Sequence, residues 1–135
     1  MSKTINWGII GLGKIAHKFA TDILTVDGAK LYAVASRNQD KADDFAKKYN
    51  ATKAFDSYEA LVKDPNIDVV YIATPHALHK ENTLLCLEHN IAVLCEKPFA
   101  MNVAEVQEMI TKAKENNVLL MEALWTYFYR ITNMF

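Results

Sequence analysis

Short apolar runs alternate along the chain with amphipathic stretches, and this alternation predicts strands separated by helices. The first run, Ile5–Ile10, combines β-branched and aromatic side chains, which is typical of a buried parallel strand. Later runs have the same character, although the third is only a short extended piece. Six strands are predicted, at Ile5–Ile10, Lys30–Ser36, Thr52–Phe55, Val69–Ala73, Ile91–Cys95 and Val118–Met121.

Between these strands, apolar residues recur at helical spacing. In the first helix, Ile15, Phe19 and Ile23 fall on one face. Before the last helix, Asn102 can act as the N-cap, and Glu105 stands three residues further on, as in a capping box. The buried stripe of that helix is predicted to consist of Val103, Val106, Ile110 and Ala113. The other helical segments are predicted at Asn38–Lys48, Tyr58–Lys63 and Leu78–His89.

The residues that end the helices follow a regular pattern. Four helices are followed, just before the next strand, by Gly28, Asn50, Asn90 and Asn117. Glycine and asparagine tolerate the left-handed conformation that terminates helices. Together with the alternating order of strands and helices, this pattern predicts a single α/β domain with a doubly wound parallel sheet. The expected strand order is 3-2-1-4-5-6, with a ligand across the carboxyl ends of the strands.

A glycine turn joins the first strand to the first helix. It reads Gly11-Leu12-Gly13-Lys14-Ile15-Ala16, a G-x-G-x-x-A form of the dinucleotide-binding fingerprint. Gly11 permits the tight turn, and Gly13 allows a pyrophosphate to approach the backbone, at a helix N-terminus that favours negative charge. The turn therefore predicts a nucleotide site, with Gly11, Leu12, Gly13, Lys14 and Ile15 as contacts. A purely structural turn is the alternative.

Composition and charge narrow the function classes. The 135 residues include 15 basic and 16 acidic side chains, without a basic block of the kind that binds nucleic acid. The longest apolar run is well short of the ~20 residues that a transmembrane helix needs. The N-terminus has no export or transit signal, and Cys86 and Cys95 lie in apolar stretches as expected for reduced thiols. We therefore expect a cytoplasmic protein without a membrane or nucleic-acid partner.

The end of the second strand predicts which dinucleotide is preferred. An acidic residue normally accepts a hydrogen bond there from the adenosine ribose 2′-hydroxyl. This chain has Ser36 and Arg37 instead, with Asp40 as the nearest acid and Lys41 one helical turn further on. Serine and arginine can bind a 2′-phosphate that a carboxylate would repel. We expect NADP, with NAD as the alternative. The alternative interpretation of Arg37 is an ordinary solvated loop residue without a role in binding.

The loop after the fourth strand is expected at the nicotinamide half of a bound cofactor. It contains Thr74, Pro75 and His76, and His79 follows three residues later. His76 and His79 have no further ligand-type residues at suitable spacing, so we expect no metal site. The two remaining histidines, His17 and His89, are expected to be solvated.

A charged pair follows the fifth strand. Glu96 and Lys97, before Pro98, are placed at a strand's carboxyl end beside the expected cofactor, which is a suitable position for catalysis. A loop ion pair without a chemical role is the alternative.

The motifs GLGKIA, ASR, IATPHALH, EKPFA and MEALW, in this order, resemble the cofactor domain of the Gfo/Idh/MocA oxidoreductases. They are most similar to the branch of glucose-fructose oxidoreductase and dimeric dihydrodiol dehydrogenase. The resemblance extends from Ile5 to about Tyr127 and implies a Rossmann domain.

The resemblance also implies a reaction, namely hydride transfer between a nicotinamide and a hydroxyl carbon of a sugar, polyol or cyclic diol. Lys97 would correspond to the family's catalytic lysine, which assists the developing alkoxide or relays the proton. Trp125 would close over the nicotinamide. The residues implied on the nicotinamide side are Thr74, Pro75, His76, His79, Glu96 and Lys97.

The chain departs from the family pattern in two ways. Family members are more than twice as long, because a second α/β domain supplies most of the substrate pocket. After MEALW, the chain has Thr126-Tyr127-Phe128-Tyr129-Arg130 instead of the usual Thr-Arg-Phe and proline. We therefore predict a dinucleotide-binding domain over 1–123 and a crossover segment over 124–135. The segment is apolar, so we expect a homo-oligomer. A nucleotide-binding or partner-binding module without catalysis is the alternative function.

Overall fold

One six-stranded parallel sheet forms the centre of the molecule. The computed structural model describes residues 4–97 and 100–123, and its strand order is β3-β2-β1-β4-β5-β6. The strands are β1 (Ile5–Ile10), β2 (Ala29–Ala35), β3 (Lys53–Phe55), β4 (Val69–Ile72), β5 (Ala92–Glu96) and β6 (Leu120–Ala123). This order confirms the predicted doubly wound topology.

The helices lie close to their predicted positions. They are α1 (Lys14–Ile23), α2 (Gln39–Tyr49), α3 (Tyr58–Val62), α4 (His79–Glu88) and α5 (Val103–Glu115). A 3₁₀ turn over His76–Leu78 precedes α4, so the predicted start of that helix is replaced by a tighter turn. The predicted left-handed positions are confirmed, because Gly28, Asn50, Asn90 and Asn117 all have positive φ angles.

The sheet buries an apolar layer on each face. On the face of α1 and α2, the core includes Trp7, Phe19 and Leu94. On the opposite face, Leu87 of α4 and Met109 of α5 pack with Ile72 of β4. Full burial of a side chain of this size contributes about 1.5–3 kcal/mol, so these layers hold the strand ends in fixed positions.

The buried stripe of α5 differs from the prediction. Val103 is 83% exposed, Val106 and Ile110 are half-buried, and the residues that face the sheet are Met109 and Ala113. The prediction is confirmed for Ala113 and wrong for Val103; it omitted Met109, whose flexible side chain fills the core as well as a β-branched one. Ile110 and its neighbours instead line an apolar groove of about 850 Å³ between α5 and β6.

The predicted cap of α5 is confirmed. The Asn102 side chain accepts a hydrogen bond of 3.0 Å from the Glu105 backbone N–H. The Glu105 carboxylate reaches back one residue further than in a capping box and accepts from the Met101 backbone N–H at 2.8 Å. Among the described residues, no helix is long and apolar enough to cross a membrane.

Candidate dinucleotide-binding site

The register of the sheet brings the candidate site residues to one edge. Ile10 of β1 is paired with Ala35 of β2 and with Ile72 of β4, and Ile72 is paired with Cys95 of β5. These four strands are parallel and end together. The segments that follow them therefore meet at the carboxyl edge of the sheet, where ligands bind in doubly wound folds. Those segments begin at Gly11, Ser36, Ala73 and Lys97.

Gly11 occupies a position that requires glycine. Its φ angle is +90°, a conformation that other L-residues rarely adopt. A Cβ atom at Gly11 would lie 2.6 Å from the Thr74 backbone nitrogen and 2.8 Å from the Ala73 carbonyl carbon. The Ala73 N–H also donates a 2.8 Å hydrogen bond to the Ile10 carbonyl. The turn after β1 thus lies directly against the loop after β4.

Gly13 has open space above it. A Cβ atom at this position would meet no heavy atom of the described chain within 4 Å. Gly13 is the N-cap of α1, and no described side chain caps this helix, whereas Asn38, Ser57 and Asn102 cap α2, α3 and α5. The first turn of α1 also has no acidic residue. Its free N–H groups can therefore donate hydrogen bonds to a phosphate or pyrophosphate that approaches over Gly13, and the helix dipole favours that negative charge.

The remaining fingerprint residues pack the turn and helix. Leu12 and Ala16 are buried, Ile15 is half-buried and Lys14 is exposed. Ala16 has no accessible surface in the core layer beside β1, so a larger side chain would push α1 away from the sheet. The structure thus brings Gly11–Ala16 together at the N-terminus of α1, and their contact with a pyrophosphate stays a prediction.

The loop after β2 presents Arg37 to solvent. Ser36 is buried. Its N–H donates to the Phe55 carbonyl at 3.1 Å, and its hydroxyl accepts from the Asn38 N–H at 3.2 Å. Arg37 is exposed, and none of the ion pairs in the described part of the chain involves it. Lys41 is likewise exposed, in the first turn of α2. Two cations are therefore available at the position where the adenosine ribose binds in this fold.

The loop after β4 is fixed by buried polar contacts. The Thr74 hydroxyl donates to the Asn82 side-chain oxygen at 2.7 Å, and the Thr74 carbonyl accepts from His79 Nε2 at 2.8 Å. All three residues are buried, and His79 donates this hydrogen bond because a carbonyl oxygen can only accept, so His79 acts as a structural tether. Pro75 and His76 are exposed at the same edge. The side chains of Pro75 and His76, rather than those of Thr74 and His79, are thus accessible to a ligand.

The carboxyl end of β5 is attached to the core through its last residue, Glu96. The Tyr71 hydroxyl donates a hydrogen bond to the Glu96 carboxylate, and burial together with that carboxylate raises the pKa of Tyr71. Lys97 is exposed, and the described ion pairs do not join it to Glu96. Glu96 therefore points to Tyr71, and the Lys97 ammonium is accessible at the carboxyl edge. Pro98, Phe99 and Trp125 lie outside the described residues.

His17 differs from the solvated residue that we expected. It is half-buried between α1 and α2, with its Nδ1 2.7 Å from the Tyr49 hydroxyl and its ring centroid 4.6 Å from that of Phe45. Burial, followed by the charges of Lys48 and Lys41, lowers the pKa of His17. The prediction was wrong because an isolated histidine on a helix gives no sign of an aromatic neighbour from another helix.

Neither cysteine is in a disulfide bond, and both are buried. Burial is the main cause that raises the pKa of Cys95 to about 12, so its thiol stays protonated. Within residues 4–97 and 100–123, no three His, Cys, Asp or Glu residues are grouped in a way that could hold a metal ion.

Comparison with known families agrees with this geometry. The profile of the Gfo/Idh/MocA family, described as an oxidoreductase family with an NAD-binding Rossmann fold, matches residues 5–124. The chain belongs to this family. The predicted resemblance is thereby confirmed, and the chain contains the NAD-binding Rossmann domain of this oxidoreductase family.

Among curated members, trans-1,2-dihydrobenzene-1,2-diol dehydrogenase of Mus musculus is 48% identical over 127 residues, and its Homo sapiens counterpart is 43% identical. Both matches cover 93% of this chain and 38% of the relative, so the chain spans well under half of their length. A crystal structure of KijD10, a 3-ketoreductase from Actinomadura kijaniata in complex with NADP, superposes with a TM-score of 0.88 at 26% identity. That match covers 98% of this chain and 44% of KijD10. A probable dehydrogenase from Thermotoga maritima gives 0.86 at 31% identity and covers 96% of this chain and 39% of that one.

Tyr71 is the residue at this edge that sequence reasoning missed. It stands among aliphatic residues in the predicted strand Val69–Ala73, and the strand pattern alone assigns it no role at the site. A tyrosine in a strand that is buried on both faces needs a hydrogen-bond partner for its hydroxyl. That requirement was the available signal, and Glu96 satisfies it.

Proposed function

We propose that this chain is the NADP(H)-binding part of an oxidoreductase that transfers a hydride between nicotinamide and a hydroxyl carbon of a sugar, polyol or cyclic diol. The observation that carries the proposal is the environment of Arg37. Arg37 is exposed, has no described acidic partner, and follows β2 at the position where NAD-binding domains usually have a carboxylate. The glycine turn after β1 lies at the same edge of the sheet. The names of the relatives support it, since they include diol dehydrogenases and a ketoreductase in complex with NADP.

Different residues of the chain would bind different parts of the cofactor. The N–H groups of the first turn of α1 would hold the pyrophosphate over Gly13. Ser36, Arg37 and Lys41 would bind the adenosine 2′-phosphate, because a guanidinium binds a phosphate through two parallel hydrogen bonds. The loop at Pro75 and His76 would lie on the nicotinamide side. Bound NADP(H) supplies or accepts the hydride.

Lys97 is the proposed catalytic residue. Its exposed ammonium group stands one residue beyond β5, at the same edge as the cradle. A positive charge there would stabilise an alkoxide as it develops on the substrate oxygen, or transfer the proton to or from that oxygen. The hydrogen bond from Tyr71 holds Glu96 in place and leaves Lys97 unpaired with it.

We further propose that these 135 residues bind the cofactor without turnover by themselves. The chain spans 38% of the length of its curated relatives, so contacts made by the rest of such a protein are not supplied here. Correct orientation of the substrate lowers the activation barrier by several kcal/mol or more, and that contribution would be missing. A cytoplasmic location and self-association remain predictions from the sequence.

Titration of NADP⁺ and NAD⁺ into the wild-type chain and Arg37→Asp tests the cofactor preference. A charge-assisted hydrogen bond contributes about 1.5–3 kcal/mol, so NADP⁺ should bind roughly tenfold to a hundredfold more tightly than NAD⁺. Arg37→Asp should reverse this preference. Equal affinities in the wild type would show that Arg37 is an ordinary solvated residue.

A further inference from the structure

Arg37 lies over the ring of Tyr58. The guanidinium carbon is 5.6 Å from the ring centroid, which is within the range of a cation–π interaction. The sheet produces this contact, because Ala35 and Phe55 are paired where β2 and β3 end, and the two residues follow these positions closely. We propose that Tyr58 is a positioning residue that orders Arg37 for the adenosine 2′-phosphate, and so sets the preference for NADP. This inference rests on the proposed function.

Tyr58 is well held at the start of α3. The preceding Ser57 caps the helix by accepting a 3.1 Å hydrogen bond from the Ala60 N–H. Tyr58 itself is half-buried and packs against the core cluster on the face of α3, α4 and α5. The ring is therefore a fixed platform, whereas Arg37 belongs to a loop and is otherwise exposed.

The two interactions of Arg37 depend on different properties of the guanidinium. Its positive charge over the ring gives the cation–π attraction, whereas a phosphate is bound through hydrogen bonds from its N–H groups. The ring contact therefore does not compete with phosphate binding. It limits the rotamers of a long side chain before the ligand arrives, which lowers the entropy lost on binding.

The expected effect is modest and specific to the 2′-phosphate. A cation–π contact at an exposed site corresponds to about 0.5–1 kcal/mol, or roughly a two- to fivefold change in affinity. NAD has no 2′-phosphate, so removal of the Tyr58 ring should weaken NADP binding by that factor and leave NAD binding unchanged. A tyrosine that only contacted the adenine would affect both cofactors equally.

The test is a double-mutant cycle on the full chain. Dissociation constants are measured for adenosine 2′,5′-bisphosphate and 5′-AMP with wild type, Tyr58→Leu, Arg37→Ala and the double variant. Tyr58→Leu should lower the preference for the bisphosphate about two- to fivefold in the wild-type background, and should have no effect on it once Arg37 is removed. Tyr58→Phe, which retains the ring, is the matched control and should behave as wild type.

The outcomes separate this inference from the proposed function. If wild type does not prefer the bisphosphate, or Arg37→Ala does not reduce that preference, the proposed function fails and the positioning role fails with it. If the preference depends on Arg37 but Tyr58→Leu leaves it unchanged, only the positioning role is overturned. An equal effect of Tyr58→Leu in both backgrounds also overturns it. Should Tyr58→Leu not fold, Tyr58→Met fills similar space without a π face and gives the same comparison.

Discussion

The Tyr71 hydroxyl donates a hydrogen bond to the Glu96 carboxylate, while the Tyr71 ring stacks on Phe19 of α1 with the ring centroids 3.9 Å apart. One side chain of β4 thus connects the helix of the glycine turn to the segment that presents Lys97. This contact holds together the glycine turn, which is the proposed pyrophosphate cradle, and the strand end that precedes the proposed catalytic lysine.

Tyr71→Phe should destabilise the fold without removing the ring stack. The change leaves the half-buried Glu96 carboxylate without its donor, which costs about 1.5–3 kcal/mol for a hydrogen bond to a charged group. Urea denaturation of the variant measures the loss. Glu96→Gln is the control, because its amide can still accept from Tyr71 and should lose less. A stability equal to that of wild type in Tyr71→Phe would mean that the contact contributes nothing to the fold.

Gly11→Ala and Gly13→Ala should have opposite consequences. At Gly11, a Cβ atom would clash with the backbone of Thr74 at a positive φ angle, so we expect a loss of at least about 1–3 kcal/mol in the free energy of unfolding. At Gly13, φ is −84° and the space is open, so stability should change by less than about 0.5 kcal/mol. NADP⁺ should nevertheless bind more weakly to Gly13→Ala, because the Cβ occupies the approach of the pyrophosphate. Thermal unfolding and cofactor titration on both variants give the comparison, and unaltered affinity in Gly13→Ala would argue against the cradle.

His17 should make the fold less stable as the pH falls from 7 to 5. Its pKa is lowered in the folded protein by burial and by Lys48 and Lys41, so the unfolded chain binds the proton more tightly. The stabilisation is fully present above the unfolded pKa of about 6.5 and decreases as the pH falls below it. Denaturation at several pH values should show a flatter profile for His17→Gln than for wild type. Parallel profiles would mean that the packing of His17 has no effect on its titration.

The segment 124–135 should promote self-association. It lies outside the described residues, and the prediction depends on its composition, which includes a single charge. Its large apolar side chains are Leu124, Trp125, Tyr127, Phe128, Tyr129, Ile131, Met134 and Phe135. Burial of each such side chain would contribute about 1.5–3 kcal/mol of stabilisation, which is lost if the side chain stays exposed. Exposed apolar patches commonly mark interfaces. Sedimentation of the full chain should show oligomers at tens of micromolar, whereas a chain that ends at Ala123 should be monomeric. Two monomeric species would refute the prediction.

The elements that local rules determine were predictable from the sequence. The strand positions followed from the apolar runs, and their order followed from the doubly wound fold that alternating strands and helices predict. Asn50, Asn90 and Asn117 marked helix ends through their tolerance of positive φ. Side-chain directions at the carboxyl edge were not predictable. From the sequence, His79 and Thr74 were expected to face a cofactor. In the structure both are buried, and the His79 ring donates a hydrogen bond to the Thr74 carbonyl. Such contacts depend on how the loop after β4 meets α4, which residue spacing does not specify.

A crystal structure of the chain grown with NADP⁺ tests the central claim most directly. We expect the pyrophosphate to lie over Gly13 at the N-terminus of α1, and the 2′-phosphate to be within hydrogen-bond distance of Arg37 and Ser36. The Arg37 guanidinium should remain over the Tyr58 ring. A dinucleotide bound away from the first turn of α1, or a 2′-phosphate that faces solvent without contact to Arg37, would contradict this binding mode.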